Sequence, residues 1–341
     1  MHEIEVLSTV GFTDELLDQF RAVSHRVRVT QTPCRNEEEV AGALGEHPGV
    51  AVLYTFRLPA NALELAPSLR WVQLHSAGAD HLLGHPVMDP DSGVRVTTAS
   101  GIHATPIAEY VFASMLAHRW RVPLWTHCQR ERDWPSNRWS LYARPELRDS
   151  TLGIVGYGSI GREVGRLGRA FGMHVLALSR SARPEESGYS VDEVGDPEGR
   201  AAEQFYPPEA LHEMLGACDY VVVALPLTPE TIGFIGEAEL GAMKPTAYLV
   251  NVARGPIVDE AALIRALEEK WIAGAGLDVF EEEPLPSESR LWDLDSALIS
   301  PHVAGFTPRY DERAAELFLR NLARFVAGEP LLNQVDKERG Y

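Results

Sequence analysis

The stretch that decides the fold is Thr151–Arg162, with the sequence TLGIVGYGSIGR. It begins apolar, as a β-strand does, breaks into glycines at a turn, and continues with apolar residues at helical spacing. In such a turn Gly156 allows a sharp change of direction, Gly158 lets the backbone approach a pyrophosphate, and Gly161 lets the helix pack closely on the strand. The amides of the first helical turn would face the phosphates. The stretch therefore predicts a dinucleotide-binding site.

The composition limits the class of protein. A chain of 341 residues with 45% hydrophobic content can bury a full core, and its length predicts two domains. The net charge of -18 argues against nucleic acid and anionic membranes as partners, because their phosphates would be repelled. The N-terminal residues do not resemble a secretion signal, and no apolar run has the length of a membrane span. We therefore expect a cytoplasmic protein.

The cysteines do not suggest a disulfide framework or a metal site. Cys34, Cys128 and Cys218 form no CxxC or similar ligand spacing, and their number is odd. We expect reduced, buried thiols and no metal ion.

Predicted strands alternate with helices along the chain. Before the glycine turn the predicted strands are Ile4–Ser8, Arg26–Thr30, Val50–Tyr54, Arg70–His75 and Val94–Thr97, with helices at 13–20, 36–44 and 60–65. After it they are His174–Leu178, Tyr220–Leu225, Ala247–Val252, Gly274–Leu277 and Ala297–Ser300. This alternation indicates parallel strands with right-handed crossovers. We predict an α/β protein with two doubly wound, Rossmann- or flavodoxin-like domains.

Three segments stand apart from the alternation. Thr105–Cys128 carries apolar residues at helical spacing over an unusual length and is rich in tryptophan at its end, so we favour a dimerisation arm over a core helix. The insert at 181–208 has no clear periodicity and is interpreted as a mobile surface loop. Pro308–Ala327 predicts a helix with one apolar face, which we expect to pack on the first domain.

The predicted domains follow from these segments. Residues 1–102 and 304–341 would form a discontinuous substrate domain. Residues 103–303 would form the dinucleotide-binding domain, with the dimerisation arm at about 105–145.

Three ionisable side chains lie just past three predicted strands. They are Arg254, Glu283 and His302. Singly, each has an ordinary explanation as a surface ion pair, a solvated charge or a loop histidine. Because carboxyl ends of parallel strands share one edge of a sheet, all three are expected to converge beside the nicotinamide. Together they would supply a carboxylate anchor, an acid/base, and a carboxylate that tunes the acid/base.

With these residues the chain resembles the D-isomer-specific 2-hydroxyacid dehydrogenases, which include glyoxylate/hydroxypyruvate reductases and phosphoglycerate dehydrogenases. The resemblance spans almost the whole chain and rests on Ser76–Asp80, Gly101–Glu109, Gly156–Gly161, Leu225–Thr231, Asn251–Asp259, Gly276–Leu285 and Ser300–Gly305. It implies an NAD(P)-dependent oxidoreductase that interconverts a small 2-keto acid of the glyoxylate or hydroxypyruvate type and its D-2-hydroxy acid by hydride transfer.

The family pattern implies a role for each catalytic residue. Arg254 would grip the substrate carboxylate and carbonyl, and Glu283 would pair with His302, which would give or take the hydroxyl proton. Formate dehydrogenases, which are similar in fold, pair the histidine with glutamine, so Glu283 argues against them.

The resemblance also implies contacts with substrate and coenzyme. Amides around Ala77 and Gly78 would hold the substrate carboxylate from the other domain, in a crevice that closes, and Asp278 would contact the nicotinamide carboxamide. The other expected coenzyme contacts are Gly156, Tyr157, Gly158, Ser159, Ile160, Gly161, Ser179, Arg180, Ser181, Leu225, Pro226, Thr231, Val252, Ala253, Arg254, His302 and Gly305. A homodimer is expected.

Coenzyme choice depends on the residues after the strand His174–Leu178. An NAD-preferring member would place Asp or Glu there, but this chain has Ser179, Arg180 and Ser181. Loss of the acidic residue and gain of a base both favour NADP(H) over NAD(H). Two alternatives stay open: Arg180 is a solvated loop arginine, or the acidic insert folds over this site and weakens it.

Two other functions fit the same motifs. One is a dinucleotide-sensing binding protein of the corepressor kind, and the other is a related dehydrogenase with another substrate, such as phosphite. The loops near Tyr54, Arg57 and Ser76 would decide the substrate.

Overall fold

The chain divides into two compact units. The structure is a computed structural model that describes residues 3–180 and 188–341. Among these, the first unit comprises 3–102, 188–191 and 307–341, and the second comprises 103–180 and 192–306. Residues 188–191, which the sequence assigned to the dinucleotide-binding domain, belong to the first unit because Tyr189 is buried there against Ile102 and Leu317.

The first unit contains a five-stranded parallel sheet. Its strands are β1 (Ile4–Ser8), β2 (Val27–Gln31), β3 (Val52–Thr55), β4 (Trp71–Leu74) and β5 (Arg95–Thr97). Their order, β2-β1-β3-β4-β5, is the flavodoxin-like order. The helices are α1 (Asp14–Ala22), α2 (Glu37–Glu46), α3 (Ala62–Leu65) and the C-terminal helix Tyr310–Ala327. Short 3-10 helices lie at Asp80–Leu82, Pro86–Met88 and Pro90–Ser92.

The sequence explains the local structure of this unit. The side chains of Thr13 and Asn36 cap α1 and α2 by accepting a backbone hydrogen bond. The C-terminal helix packs in this unit, as predicted, because its apolar face is buried in the core: Phe318 meets Phe20 edge to face with the ring centroids 5.0 Å apart.

The second unit contains a seven-stranded parallel sheet. Its strands are β6 (Thr151–Val155), β7 (His174–Leu178), β8 (Gln204–Tyr206), β9 (Tyr220–Val223), β10 (Tyr248–Asn251), β11 (Gly274–Leu277) and β12 (Ala297–Ile299). The order is β12-β11-β10-β9-β6-β7-β8. The connections change direction between β6 and β9, which is where ligands bind in doubly wound sheets. Both sheets confirm the predicted fold class.

Seven helices and three short 3-10 helices are described in the second unit. The helices are α4 (Ala104–Trp120), α5 (Val122–Glu131), α6 (Arg138–Tyr142), α7 (Ser159–Ala170), α8 (Leu211–Ala217), α9 (Glu237–Ala242) and α10 (Glu260–Glu268). The 3-10 helices are Pro208–Ala210, Gly255–Ile257 and Arg290–Asp293.

Three predictions need correction. The helical stretch Thr105–Cys128 is two helices, because Arg121 adopts a left-handed conformation and Pro123 lies in the first turn of the next helix. The insert at 181–208 is not all surface loop, because residues 204–206 pair with β7 as β8 and Asp196 is buried. Cys34 is only partly buried, because it lies in the loop after β2.

None of the helices seen in 3–180 and 188–341 is both long and apolar enough to cross a membrane. Within the same ranges, no group of three or more His, Cys, Asp or Glu side chains is arranged to hold a metal ion.

Candidate active site

A histidine and a glutamate meet at the carboxyl edge of the second sheet. Glu283 follows β11 and His302 follows β12, and Oε2 of Glu283 lies 2.7 Å from Nδ1 of His302. The other carboxylate oxygen, Oε1, accepts a hydrogen bond from the Phe280 amide at 3.1 Å. The side chain of His302 is 47% exposed and that of Glu283 is 36% exposed, so a small molecule can reach the pair in this unit. Since Nδ1 faces the carboxylate, a proton delivered to a substrate would leave from Nε2.

A buried carboxylate holds the turn that carries His302. Asp278 is 2% exposed and accepts backbone hydrogen bonds from Val303 and Ala304, both at 2.8 Å. It also accepts from the Ser300 hydroxyl at 2.5 Å. His302 itself has φ of 54°, a conformation that L-residues adopt at a cost. Asp278 therefore bonds the chain on both sides of a strained residue.

A tyrosine completes this arrangement. The hydroxyl oxygens of Tyr110 and Ser300 lie 2.7 Å apart, and Tyr110 is the donor because the single Ser300 proton is used on Asp278. Burial raises the pKa of Tyr110, so the phenol stays protonated at neutral pH.

The sequence predicted Asp278 as a contact of the nicotinamide carboxamide, which stays a prediction. Its role in the turn was missed, although a carboxylate directly after a buried strand must find donors.

Arg254 lies on a turn that a buried amide supports. The side chain of Asn251, at the end of β10, accepts from the Ala253 amide at 3.1 Å and donates to the Arg254 carbonyl at 3.2 Å. Gly255 packs so closely that a Cβ there would meet backbone atoms of Phe280 at 1.9 Å or less. The turn that carries Arg254 therefore packs directly against the segment that leads to Glu283. The guanidinium donates to the Ala253 carbonyl at 2.8 Å.

The glycine turn has the predicted strand, turn and helix. Gly156 has φ of +102°, and a Cβ there would lie 2.7 Å from the Ala224 carbonyl oxygen. A Cβ on Gly161 would lie 2.2 Å from the Gly156 carbonyl oxygen, whereas one on Gly158 would meet nothing within 4 Å. Gly158 immediately precedes the first turn of α7, so open space lies beside its amides. These residues fit a dinucleotide phosphate.

Other predicted coenzyme contacts serve the local structure. Thr231 Oγ1 donates to the Pro226 carbonyl at 2.7 Å and accepts from the Thr228 amide at 2.8 Å, which closes the loop after Leu225. The Ser179 amide donates to the Tyr206 carbonyl at 2.9 Å.

The remaining predicted coenzyme contacts differ in burial and location. Val252 and Ala253 are buried, Ser159 and Ile160 open α7, and Arg180 and Gly305 are exposed or partly exposed. Ser181 lies outside the described residues.

The predicted carboxylate-binding turn belongs to the first unit. Ala77 and Gly78 follow β4, and the Ser76 hydroxyl donates to the Gly78 carbonyl at 2.8 Å. The Ala99 amide donates to the Ser76 carbonyl at 2.8 Å. The predicted strand Arg70–His75 is confirmed as β4, and carboxylate binding by this turn stays a prediction.

Comparison with known proteins decides the family. The model of the D-isomer specific 2-hydroxyacid dehydrogenase NAD binding domain matches residues 112–304. A glyoxylate reductase of Thermococcus gammatolerans is 37% identical over 290 residues, which cover 83% of this chain and 80% of the relative. The chain belongs to the D-isomer-specific 2-hydroxyacid dehydrogenases. It is an NAD(P)-dependent enzyme of this family, and its second unit contains the NAD-binding domain.

Solved structures of the family have the same fold. A D-isomer specific 2-hydroxyacid dehydrogenase of Xanthobacter autotrophicus, in complex with NADPH and MES, has a TM-score of 0.78, 30% identity and full coverage of both chains (100% each). An NADPH-dependent glyoxylate/hydroxypyruvate reductase of Sinorhizobium meliloti, in complex with NADP and sulfate, has a TM-score of 0.77 and 28% identity, and the match covers 99% of this chain and 100% of that one.

Proposed function

We propose that this dehydrogenase reduces a small 2-keto acid of the glyoxylate or hydroxypyruvate type to the D-2-hydroxy acid, with NADPH as the preferred coenzyme. The observation that carries the proposal is the 2.7 Å contact between Glu283 and His302 at the carboxyl edge of a dinucleotide-binding sheet. The names of the glyoxylate reductase and the glyoxylate/hydroxypyruvate reductase that this chain resembles support the substrate class.

Each catalytic residue has a defined task in this proposal. The planar fork of Arg254 binds the substrate carboxylate and polarises the neighbouring carbonyl. The bound nicotinamide coenzyme supplies the hydride. His302 donates the Nε2 proton to the carbonyl oxygen as negative charge develops there, while Glu283 fixes the ring through Nδ1.

The preference for NADPH rests on the residues after β7. Ser179 puts no negative charge where a 2′-phosphate would lie, and the Arg180 guanidinium can bind that phosphate through charge-assisted hydrogen bonds. Two structural relatives carry NADPH or NADP in their complexes.

A substrate panel tests the proposal. Initial rates with glyoxylate, hydroxypyruvate, pyruvate, bulkier 2-keto acids and phosphite, each with both coenzymes, should give the highest kcat/KM for glyoxylate or hydroxypyruvate. Chiral analysis should find only the D-hydroxy acid where the product is chiral. Tight coenzyme binding without turnover of any keto acid would instead favour the dinucleotide-sensing protein, and turnover of phosphite alone would favour the other dehydrogenase.

The proposed enzyme is a homodimer. Four tryptophans of residues 103–145 are exposed: Trp120 and Trp125 at 43% and 44%, and Trp134 and Trp139 at 82% and 83%. Large aromatic side chains at this exposure are typical of protein interfaces. The cytoplasmic location stays a prediction.

A further inference from the structure

The side chain of Tyr157 is directed away from the glycine turn in which it lies. Tyr157 stands between Gly156 and Gly158, but it is only 6% exposed. Its ring meets Phe205 edge to face at 5.2 Å, and its hydroxyl donates to Oδ2 of Asp196 at 2.7 Å. Burial and the neighbouring Asp196 raise the pKa of Tyr157, so the phenol stays a donor. The glycine turn is thereby tied to the insert after β7.

Asp196 is a fully engaged, buried acid. Its side chain accepts from the Arg200 and Ala201 amides at 2.8 and 2.9 Å in addition to Tyr157. Its carbonyl accepts from the Arg162 guanidinium at 2.5 Å, and Arg162 lies in the first turn of α7. The acid is 9% exposed, so its charge is compensated inside the protein and not presented to a phosphate.

A second contact fastens the same insert to α7. Glu163 is 2% exposed and pairs with Arg166 through two hydrogen bonds of 2.6 and 2.8 Å. Oε2 of Glu163 also accepts from the Gly195 amide at 2.7 Å. Residues 195 and 196 are therefore fixed to the first half of the helix whose amides face the predicted pyrophosphate.

We propose that Asp196 is a positioning residue for the coenzyme, acting through Tyr157 to hold the backbone amides of the glycine turn in their phosphate-binding arrangement. A residue flanked by two glycines has a backbone with much conformational freedom. Anchoring its side chain orders the turn on folding, so less entropy is lost when a pyrophosphate binds. The described part of the acidic insert then strengthens coenzyme binding, which is the opposite of the effect considered from the sequence.

Isothermal titration of the full-length protein with NADPH and with NADH tests this role. The variants are Tyr157→Phe, Asp196→Asn and the double variant. Each single change should raise the Kd of both coenzymes by about 5- to 10-fold, because the pyrophosphate is common to both. The Kd of the double variant for each coenzyme should be no higher than that of the single variant with the higher Kd, because both changes break the same contact. The coenzyme KM, measured at saturating keto acid, should rise in the same proportion as the Kd.

The matched control is Tyr220→Phe. Tyr220 is a buried tyrosine of the same unit at the amino end of β9, the edge of the sheet opposite to the glycine turn. Its Kd values should equal those of the wild type. Unchanged Kd values in Tyr157→Phe and Asp196→Asn would overturn the proposal. A higher Kd for only one of the two coenzymes would overturn it as well. A fall in melting temperature large enough to account for the weaker binding would also overturn it, by showing general destabilisation.

The inference rests on the proposed coenzyme chemistry, and the same titration separates the two failures. A wild-type protein that binds neither NADPH nor NADH refutes the proposed function. A wild-type protein that binds them no better than the variants refutes the role of Asp196 alone.

Discussion

Glu283 and His302 are 19 residues apart in the chain, yet Oε2 of Glu283 lies 2.7 Å from Nδ1 of His302. They meet because β11 and β12 are neighbouring parallel strands, so the segments that leave their carboxyl ends share one edge of the sheet. The contact orients the imidazole and leaves Nε2 as the nitrogen for the proposed proton transfer.

Removal of the imidazole should abolish most turnover. His302→Ala should lower kcat by about two to four orders of magnitude, because it removes the proposed proton donor to the developing alkoxide. Coenzyme binding, measured by isothermal titration, should change little. The control is His212→Ala, because His212 makes a similar 2.8 Å contact with Glu239 on the surface of the same unit and should keep wild-type kcat. Near wild-type turnover in His302→Ala would refute the mechanism.

Asp278 should support both stability and activity. Asp278→Ala leaves the Val303 and Ala304 amides and the Ser300 hydroxyl without their acceptor. Buried donors without acceptors should lower the free energy of unfolding by about 2 to 4 kcal/mol, measured by urea denaturation. Asp278→Asn, which keeps one acceptor oxygen, should lose less. A stable and fully active Asp278→Ala protein would show that the turn around His302 does not depend on this carboxylate.

Coenzyme preference should respond to the two residues after β7. Ser179→Asp and Arg180→Ala should each lower the ratio of kcat/KM for NADPH over NADH by about tenfold or more, since one adds repulsion and the other removes attraction at the 2′-phosphate. The control is Arg169→Ala, which removes an arginine in the last turn of α7 that pairs with Glu203. A wild-type preference for NADH, or an unchanged ratio in Arg180→Ala, would show the assignment to be wrong.

The mass in solution should be twice the 37.6 kDa of one chain. Light scattering at micromolar concentration measures it directly. Trp134→Ser combined with Trp139→Ser should shift the equilibrium toward monomer, because these side chains are the most exposed aromatics of residues 103–145. Trp292→Ser, a change at a 54% exposed tryptophan outside that segment, should leave the mass unchanged. A wild-type mass near that of one chain would rule out the dimer.

His118 should make the fold sensitive to acid. Burial, with help from Arg144 and Arg121, lowers the pKa of His118 from 6.5 to about 4. Between these values the unfolded chain takes up a proton that the folded protein excludes, so stability present above pH 6.5 is lost as the pH falls toward 4. The loss is about 3 kcal/mol.

A single substitution should remove most of this acid sensitivity. His118→Phe keeps a ring stacked on Tyr248, where the centroid distance is now 4.1 Å. Urea denaturation at pH 7 and pH 4.5 should therefore show a smaller drop in the free energy of unfolding for His118→Phe than for the wild type. Equal drops in the two proteins would contradict the assignment.

Three features of the structure are absent from the sequence pattern for physical reasons. Periodicity predicts one helix through Arg121, because it records side-chain spacing and not the left-handed backbone angle that ends α4 there. Strand β8 gives no clear sequence pattern because it is only 3 residues long. Its pairing with β7 joins segments that are distant in the chain. The anchoring of Tyr157 by Asp196 depends on an insert without any periodic signal.

Local pattern alone determined the alternating strands and helices, the glycine turn at Gly156 and the strand ends that carry Arg254 and His302, because these features depend on neighbours in the chain. The family resemblance also implied that Glu283 pairs with His302, whereas the other contacts of the site were decided only by the tertiary structure. Strand order brings Glu283 to His302, and burial forces the Asp278 carboxylate to find its donors on both sides of that histidine. Spacing in a sequence carries no information on strand order or desolvation, and these two set the geometry of the site.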